Sequence, residues 1–307
     1  MRIAAMAAGA VGGYFGARLA AAGHEVFFIA RGANLDAIKK NGLTIHSVHG
    51  DLHLPKPNAT ADPAKVGPVD VVLFAVKLWD TETAAALMRP LVGPDTRVIT
   101  LQNGVDSVER LAPILGADQV LGGVAYIASV VSAPGTISHT SQFAIMRCGR
   151  ADGRADAKLA AFAAAAKAAK IDIAISDNIE RERWHKFIFL SAMAGVTAAT
   201  RMPMGPIMAD PDTLALFRRL MQEALAVGQA KGVALSPDYI DERMTFAMTK
   251  VEPGMKASMA HDLERGNRLE LDWLTGKVVE LGRALKLATP ASETVYAALK
   301  LHRMGRG

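Results

Sequence analysis

Apolar residues fall in short unbroken runs over the first half of the chain, the pattern of strands buried on both faces. The N-terminal run breaks at Ala7-Ala8-Gly9, a helix is expected over residues 10–23, and a second strand over 25–30. Residues 43–48 and 52–54 predict a short surface hairpin closed near His49-Gly50-Asp51. Buried strands follow at 69–76, ending at Lys77, and at 96–101, ending at Gln102-Asn103-Gly104, with a helix opening at Asp80-Thr81 between them. Residues 119–129, 135–140 and 142–148 predict further strands, at least partly antiparallel, before a helix at 155–170 and a last strand at 171–175. Beyond Ser176 only helices are expected, at 177–200, 210–232, 236–251, 269–287 and 290–302. Asp177, Asp210 and Ser236 are their candidate N-caps, the last with Pro237 at the first helical position. The expected architecture is α/β: a Rossmann-type doubly wound sheet over residues 1–175, then an all-helical domain over 176–307.

Strand, glycine turn, helix and strand within about thirty residues make the unit that binds dinucleotides. Gly9 lets the backbone approach a pyrophosphate and Gly12 lets the helix lie close to the strand, while the helix N-terminus offers N–H groups to phosphate. Ala7 stands where such turns usually carry their first glycine, so the string reads A-x-G-x-x-G. Alanine fits there only if the turn avoids positive φ, where a β-carbon costs on the order of 1 kcal/mol. Ala7, Ala8, Gly9, Ala10, Val11 and Gly12 are thus the expected phosphate-binding positions. The second strand runs into Ala30-Arg31-Gly32 with no acid at its tip for a ribose 2′-hydroxyl. Arg31 there suits a 2′-phosphate, which a guanidinium can grip with two hydrogen bonds, and the expected cofactor is NADP(H). Lys77 and Asn103 end two neighbouring strands, on the sheet edge where ligands of such folds bind.

At 307 residues, two domains with real cores are expected. Half the residues are apolar, few are aromatic and alanine is abundant, pointing to helices packed closely on small side chains. The net charge of +5 is scattered, which argues against nucleic acid but suits an anionic cofactor and an anionic substrate. The single Cys148 excludes an intramolecular disulfide, fits a reducing compartment and has no metal-ligand cluster around it. The first residues flow into the glycine turn, so they are expected to be a strand and not a removable signal. No apolar run is long enough to span a membrane, and a cytoplasmic location is expected.

Taken together, the motifs resemble the ketopantoate reductases (2-dehydropantoate 2-reductase family) over nearly the whole chain. The matching strings include residues 9–16, Ile29-Ala30-Arg31-Gly32, Val76-Lys77, Leu101-Gln102-Asn103-Gly104-Val105 and Arg183-Trp184-His185-Lys186. Ser258-Met259-Ala260-His261-Asp262-Leu263, Leu269-Glu270-Leu271-Asp272 and Ala288-Thr289-Pro290 follow in order. The resemblance implies hydride transfer from NADPH to the ketone carbon of a 2-oxo acid. It implies Lys186 as general acid, Glu270 orienting the lysine, the substrate or the cofactor ribose, and Ser258 touching the substrate. It also implies Asn103 bridging cofactor and substrate, Lys77 near the nicotinamide and a backbone contact from Ala128 to the cofactor. A hydride arriving at a carbonyl leaves an alkoxide, and a lysine whose pKa is lowered by apolar neighbours can both stabilise and protonate it.

The pattern also departs from the family. Asn is common there four and eight residues after the lysine and again beyond the helix; here Leu190, Ala194 and Met204 stand in those places. The reductase chemistry is kept while the expected pocket wall, Leu190 and Ala194, is apolar. Arg201 reads either as a replacement anchor for the substrate carboxylate or as a surface charge. The expected substrate is therefore ketopantoate or a more apolar 2-oxo acid. Rival readings are a β-hydroxyacid dehydrogenase, whose glycine-rich substrate motif finds no good match, and a non-catalytic NADP(H)-binding redox sensor, which Lys186 with Glu270 argues against. A homodimer is left open.

Overall fold

The structure, a computed structural model, describes residues 1–306, which divide into two compact units. The first holds residues 1–102 and 106–182; the second holds 103–105 and the described residues from 183 onward.

Ten strands form the sheet of the first unit: β1 (Arg2–Met6), β2 (Glu25–Ile29), β3 (Leu43–Ser47), β4 (Leu52–Leu54), β5 (Asn58–Thr60), β6 (Val71–Phe74), β7 (Arg97–Thr100), β8 (Val120–Ala133), β9 (Thr136–Gly149) and β10 (Asp172–Ile175). Their order is β4-β3-β9-β8-β7-β6-β1-β2-β5, with β10 also paired to β9. The centre is parallel, whereas β8 with β9 and β3 with β4 are antiparallel. Because side chains alternate along a strand, Ile3, Ala5, Val71 and Leu73 face one core and Ala4, Met6, Val72 and Phe74 the other. Helices α1 (Ala10–Ala21), α2 (Gly32–Asn41) and α5 (Ala157–Ala168) cover the first face, and α3 (Thr81–Leu87) and α4 (Ser107–Leu115) the second. This is the doubly wound arrangement expected.

The second unit is built on α6 (Ile179–Thr200), followed by α7 (Met204–Ala209), α8 (Pro211–Ala230), α9 (Tyr239–Lys250), α10 (Ser258–Arg265), α11 (Thr275–Ala284) and α12 (Pro290–Lys300). Trp184, Phe187, Ile188, Val196 and Ala198 of α6 are all sealed from solvent, as a helix apolar on most of its circumference must be. Amphipathic α8 turns Phe217, Leu220, Met221, Ala224 and Val227 into the same core. No helix of the described residues is long and apolar enough to cross a membrane.

Several local expectations need correcting. Residues 136–149 form one strand: Ile127 pairs with Ala144 but Ser129 with His139, so the break read at Ser141 is a bulge in a continuous ladder. Asn178, not Asp177, caps α6, its Oδ1 accepting from the Arg181 backbone at 3.0 Å. The helix expected from Ser236 starts only at Tyr239, and Ser236 instead turns its Oγ to the Asp238 amide. The helix expected over 269–287 is interrupted by a 3-10 turn at Leu271–Trp273 before α11 begins. Asp210 does cap α8, accepting from the amides of Asp212 and Thr213. Strand β5 and helices α2, α4, α7 and α10 were not expected; all are short, and short elements carry too few turns of periodic pattern to stand out.

Candidate active site

The glycine turn of the first unit has the geometry its sequence requires. Gly9 is extended, φ −86° and ψ −162°, at the N-cap of α1, and a β-carbon there would point into open space. A β-carbon on Gly12 would run into the Ala7 carbonyl and meet Ala75, so α1 can lie on β1 only with glycine there. Ala7 is not among the residues with positive φ, which removes the objection to alanine at the first position. No side chain caps α1 and no acid lies in its first turn, so the helix end offers its amides without a competing carboxylate. The Asn34 amide of α2 donates to the Ala8 carbonyl at 3.0 Å and accepts from the Gly135 amide at 2.8 Å. The turn, α2 and the β8–β9 connection are thereby tied together. A dinucleotide pyrophosphate fits this set of residues.

Arg31 lies at the tip of β2, N-caps α2 and is largely exposed. The sequence shows no acid at this tip, but the structure supplies one: Asp80, at the N-cap of α3, pairs with Arg31 Nη2 at 2.7 Å. Lys77 is exposed just beyond β6, with its ammonium 5.5 Å from the centre of the Trp79 ring. Gln102, at the end of β7, is buried and donates to the Val76 carbonyl and to Thr81 Oγ1, joining the ends of two strands to α3. Ala128 sits at the bulge, where its amide donates to Ser141 Oγ at 3.0 Å. Buried His139 fixes that serine in turn, its Nε2 lying 3.0 Å from Ser141 Oγ and 3.1 Å from the Phe143 carbonyl. Burial pushes the imidazole pKa down, favouring the neutral ring. Burial also pushes the Cys148 thiol up to about 12, which makes it an inert core residue.

The second unit gathers the polar groups of catalytic type. Gly104 has φ +92°, a left-handed turn that glycine alone adopts at no steric cost, and Val105 then enters the helical core. The anchored segment sets Asn103 Oδ1 2.8 Å from Lys186 Nζ, which donates to it. Desolvation pushes the Lys186 ammonium down to about 8, with the Glu270 carboxylate opposing that shift. Glu270 is itself 5% exposed, at the start of the 3-10 turn that interrupts the expected helix. The interruption places a carboxylate in the field of the lysine. Ser258 is the exposed first residue of α10.

The expected substrate wall is only partly available. Leu190 is half-buried, whereas Ala194 and Met204 are 1% exposed and belong to the helical core. Arg201 is exposed, with φ +60° as the chain leaves α6, and its carbonyl accepts from Lys256 Nζ at 2.8 Å. Sequence reasoning passed over Asn34, Asp80, Gln102, Ser141 and His139. Each acts through a partner distant in sequence or through the backbone, except that the Ser141 break was itself visible as an interrupted strand pattern.

A doubly wound nucleotide-binding unit and a helical unit carrying a lysine of lowered pKa define a nicotinamide-dependent oxidoreductase. Residues 3–153 match the family described as ketopantoate reductase PanE/ApbA, and residues 178–303 match its C-terminal region. The chain belongs to the ketopantoate reductase family. It is 33% identical to a 2-dehydropantoate 2-reductase of Mesorhizobium japonicum, over 100% of this chain and 99% of that one. It is also 33% identical to an uncharacterized oxidoreductase, YkpB, of Bacillus subtilis, over 98% of this chain and 99% of that one. A crystal structure of a PanE/ApbA family ketopantoate reductase from Ralstonia eutropha superposes with a TM-score of 0.90 at 34% identity, covering 99% of this chain and 98% of that one.

Proposed function

We propose that this chain reduces a 2-oxo acid to the 2-hydroxy acid with NADPH, Lys186 supplying the proton. The observation that carries this reading is the lysine itself: its half-buried ammonium is partly desolvated, held by Asn103 at 2.8 Å and balanced by the Glu270 charge. The nicotinamide, when bound, supplies the hydride. Lys186 gives the resulting alkoxide oxygen a proton from Nζ, and a pKa near the working pH lets it do so and be recharged from solvent. Asn103 accepts one of the three ammonium hydrogens and so fixes where Nζ stands. Glu270 keeps the ammonium charged against the pull of desolvation. Gly9 and the α1 amides would hold the pyrophosphate, Arg31 the 2′-phosphate, and Lys77 and Ala128 would serve the nicotinamide end. Ser258 and Leu190 contact substrate.

Membership of the family supports ketopantoate as the substrate, and Leu190 in place of an amide supports the alternative, a 2-oxo acid with an apolar side chain. NADPH oxidation by the purified protein against ketopantoate and a series of branched and aromatic 2-oxo acids tests both. Turnover of none of them, with NADPH bound, would reject the reading in favour of a binding protein.

A further inference from the structure

The Arg31–Asp80 pair has a bearing on cofactor choice, which rests on the reading of Arg31 as the 2′-phosphate ligand. Arg31 is 82% exposed, and the Asp80 carboxylate is the group set against its guanidinium. The main chain on both sides is fixed. Arg31 N-caps α2 in an extended conformation, and Asp80 closes a 3-10 turn, its amide donating to the Lys77 carbonyl at 2.9 Å, before opening α3. Asp80 makes no capping bond with its side chain, so the carboxylate is given over to Arg31.

The bond goes to Nη2, the nitrogen that takes part in both two-pronged faces of a guanidinium. A 2′-phosphate gripped by Arg31 must therefore either share that nitrogen with a carboxylate, so that two anions stand on one cation, or displace the carboxylate and lose the ion pair it makes. A ribose 2′-hydroxyl faces the opposite situation. It carries no charge and can donate to the carboxylate, which then does what the acid at a strand tip does in NAD-preferring sheets.

We propose that Asp80 is a specificity-determining residue that weakens the preference for NADPH over NADH by contesting Arg31 with the 2′-phosphate and accepting from the 2′-hydroxyl. Asp80 reaches the position from 49 residues away in sequence, at the head of α3 and not at the tip of β2.

Calorimetric affinities for NADPH and NADH test this without any substrate, in the unmutated protein and in Asp80→Asn, Asp80→Glu and Arg31→Ala. Asp80→Asn is expected to tighten NADPH roughly three- to tenfold, the scale of one partly solvated charge repulsion, and to weaken NADH or leave it unchanged. Asp80→Glu is expected to restore the original ratio. Weaker NADPH binding in Asp80→Asn, or equal change for both cofactors, would overturn the proposal; the first would mean that Asp80 only steadies Arg31. Arg31→Ala separates this from the underlying reading. If it leaves the ratio of the two affinities unchanged, Arg31 does not read the 2′-phosphate, and both fall together.

Discussion

Lys186 Nζ donates to Asn103 Oδ1 at 2.8 Å, joining residues 83 positions apart. The contact depends on a local device in each partner. Asn103 is delivered by a left-handed Gly104 and by Val105, which plugs into the helical core. Lys186 is delivered by α6, whose neighbouring Trp184, Phe187 and Ile188 are buried and hold the helix in place. A half-buried ammonium carries a desolvation cost, and an amide oxygen at hydrogen-bond distance offsets part of it while leaving the charge on the lysine. The pair is therefore suited to hold a proton ready and not merely to stabilise the fold.

If Lys186 is the proton donor, Lys186→Ala lowers kcat by roughly 10²–10⁴, the range for loss of a general acid. NADPH affinity, measured by fluorescence titration, stays within a few-fold of normal. Near-normal kcat on the best substrate would assign the proton to another group.

The lowered pKa gives the reaction a pH signature. Burial lowers the Lys186 pKa to about 8; if Lys186 is the proton donor, reduction needs its protonated form, so kcat for reduction falls roughly tenfold per pH unit above about 8. Oxidation of the 2-hydroxy acid needs the neutral amine and rises through the same range. Glu270 favours the ammonium, so Glu270→Gln moves the falling limb to lower pH. Stability moves with pH in the direction opposite to reduction. The folded state releases this proton near 8 and the unfolded chain near 10.5, so between those values the unfolded state binds more protons and stability rises with pH. Denaturant titrations at pH 8 and 10 read that rise, and Lys186→Met should lack it.

The nucleotide-binding half was legible in the sequence because its signals are local. Gly9, Gly12 and the strands on either side lie within thirty residues, and the Ala7 carbonyl that requires glycine at position 12 lies within that stretch. Asp80 was not legible beside Arg31, since nothing in residues 25–32 says that the head of a later helix will reach the strand tip. The bulge at Ala128 was visible only as a pause at Ser141, because a side-chain oxygen replaces a ladder bond there and leaves no apolar period to read. In the helical unit, the spacing of Lys186, Leu190 and Ala194 correctly put them on one helix but could not show that Ala194 is packed into the core.

Gly9 and Gly12 should separate binding from folding. Gly9 has a backbone any residue adopts and open space where a β-carbon would go, so Gly9→Ala folds with nearly unchanged Tm. That methyl would occupy the approach of the pyrophosphate and weaken NADPH by roughly tenfold or more, about 1.4 kcal/mol per factor of ten. Gly12→Ala forces α1 off β1 and costs about 1–3 kcal/mol, seen as a fall in Tm without ligand. Equal loss of Tm in the two variants would contradict this division.

Substrate preference turns on Leu190 more than on its neighbours. Lys186, Leu190 and Ala194 are spaced by four on α6, but Ala194 is sealed in the core and Leu190 alone of the last two keeps exposed area. Leucine can offer a substrate van der Waals contact but no hydrogen bond to a hydroxyl such as ketopantoate carries. A missing bond of this kind costs about 0.5–1.5 kcal/mol, and more if the hydroxyl is left buried and unpaired. A 2-oxo acid with a branched apolar side chain escapes the loss, so its kcat/KM should match or exceed that for ketopantoate. Leu190→Asn should shift the ratio toward ketopantoate roughly three- to tenfold, the scale of one regained bond. Ala194→Asn should instead destabilise the fold, because its amide would enter a packed core without room or partner. Measuring kcat/KM for both acids in the unmutated protein and in Leu190→Asn decides the matter: a strong preference for ketopantoate before mutation would place the hydroxyl against some group other than this leucine.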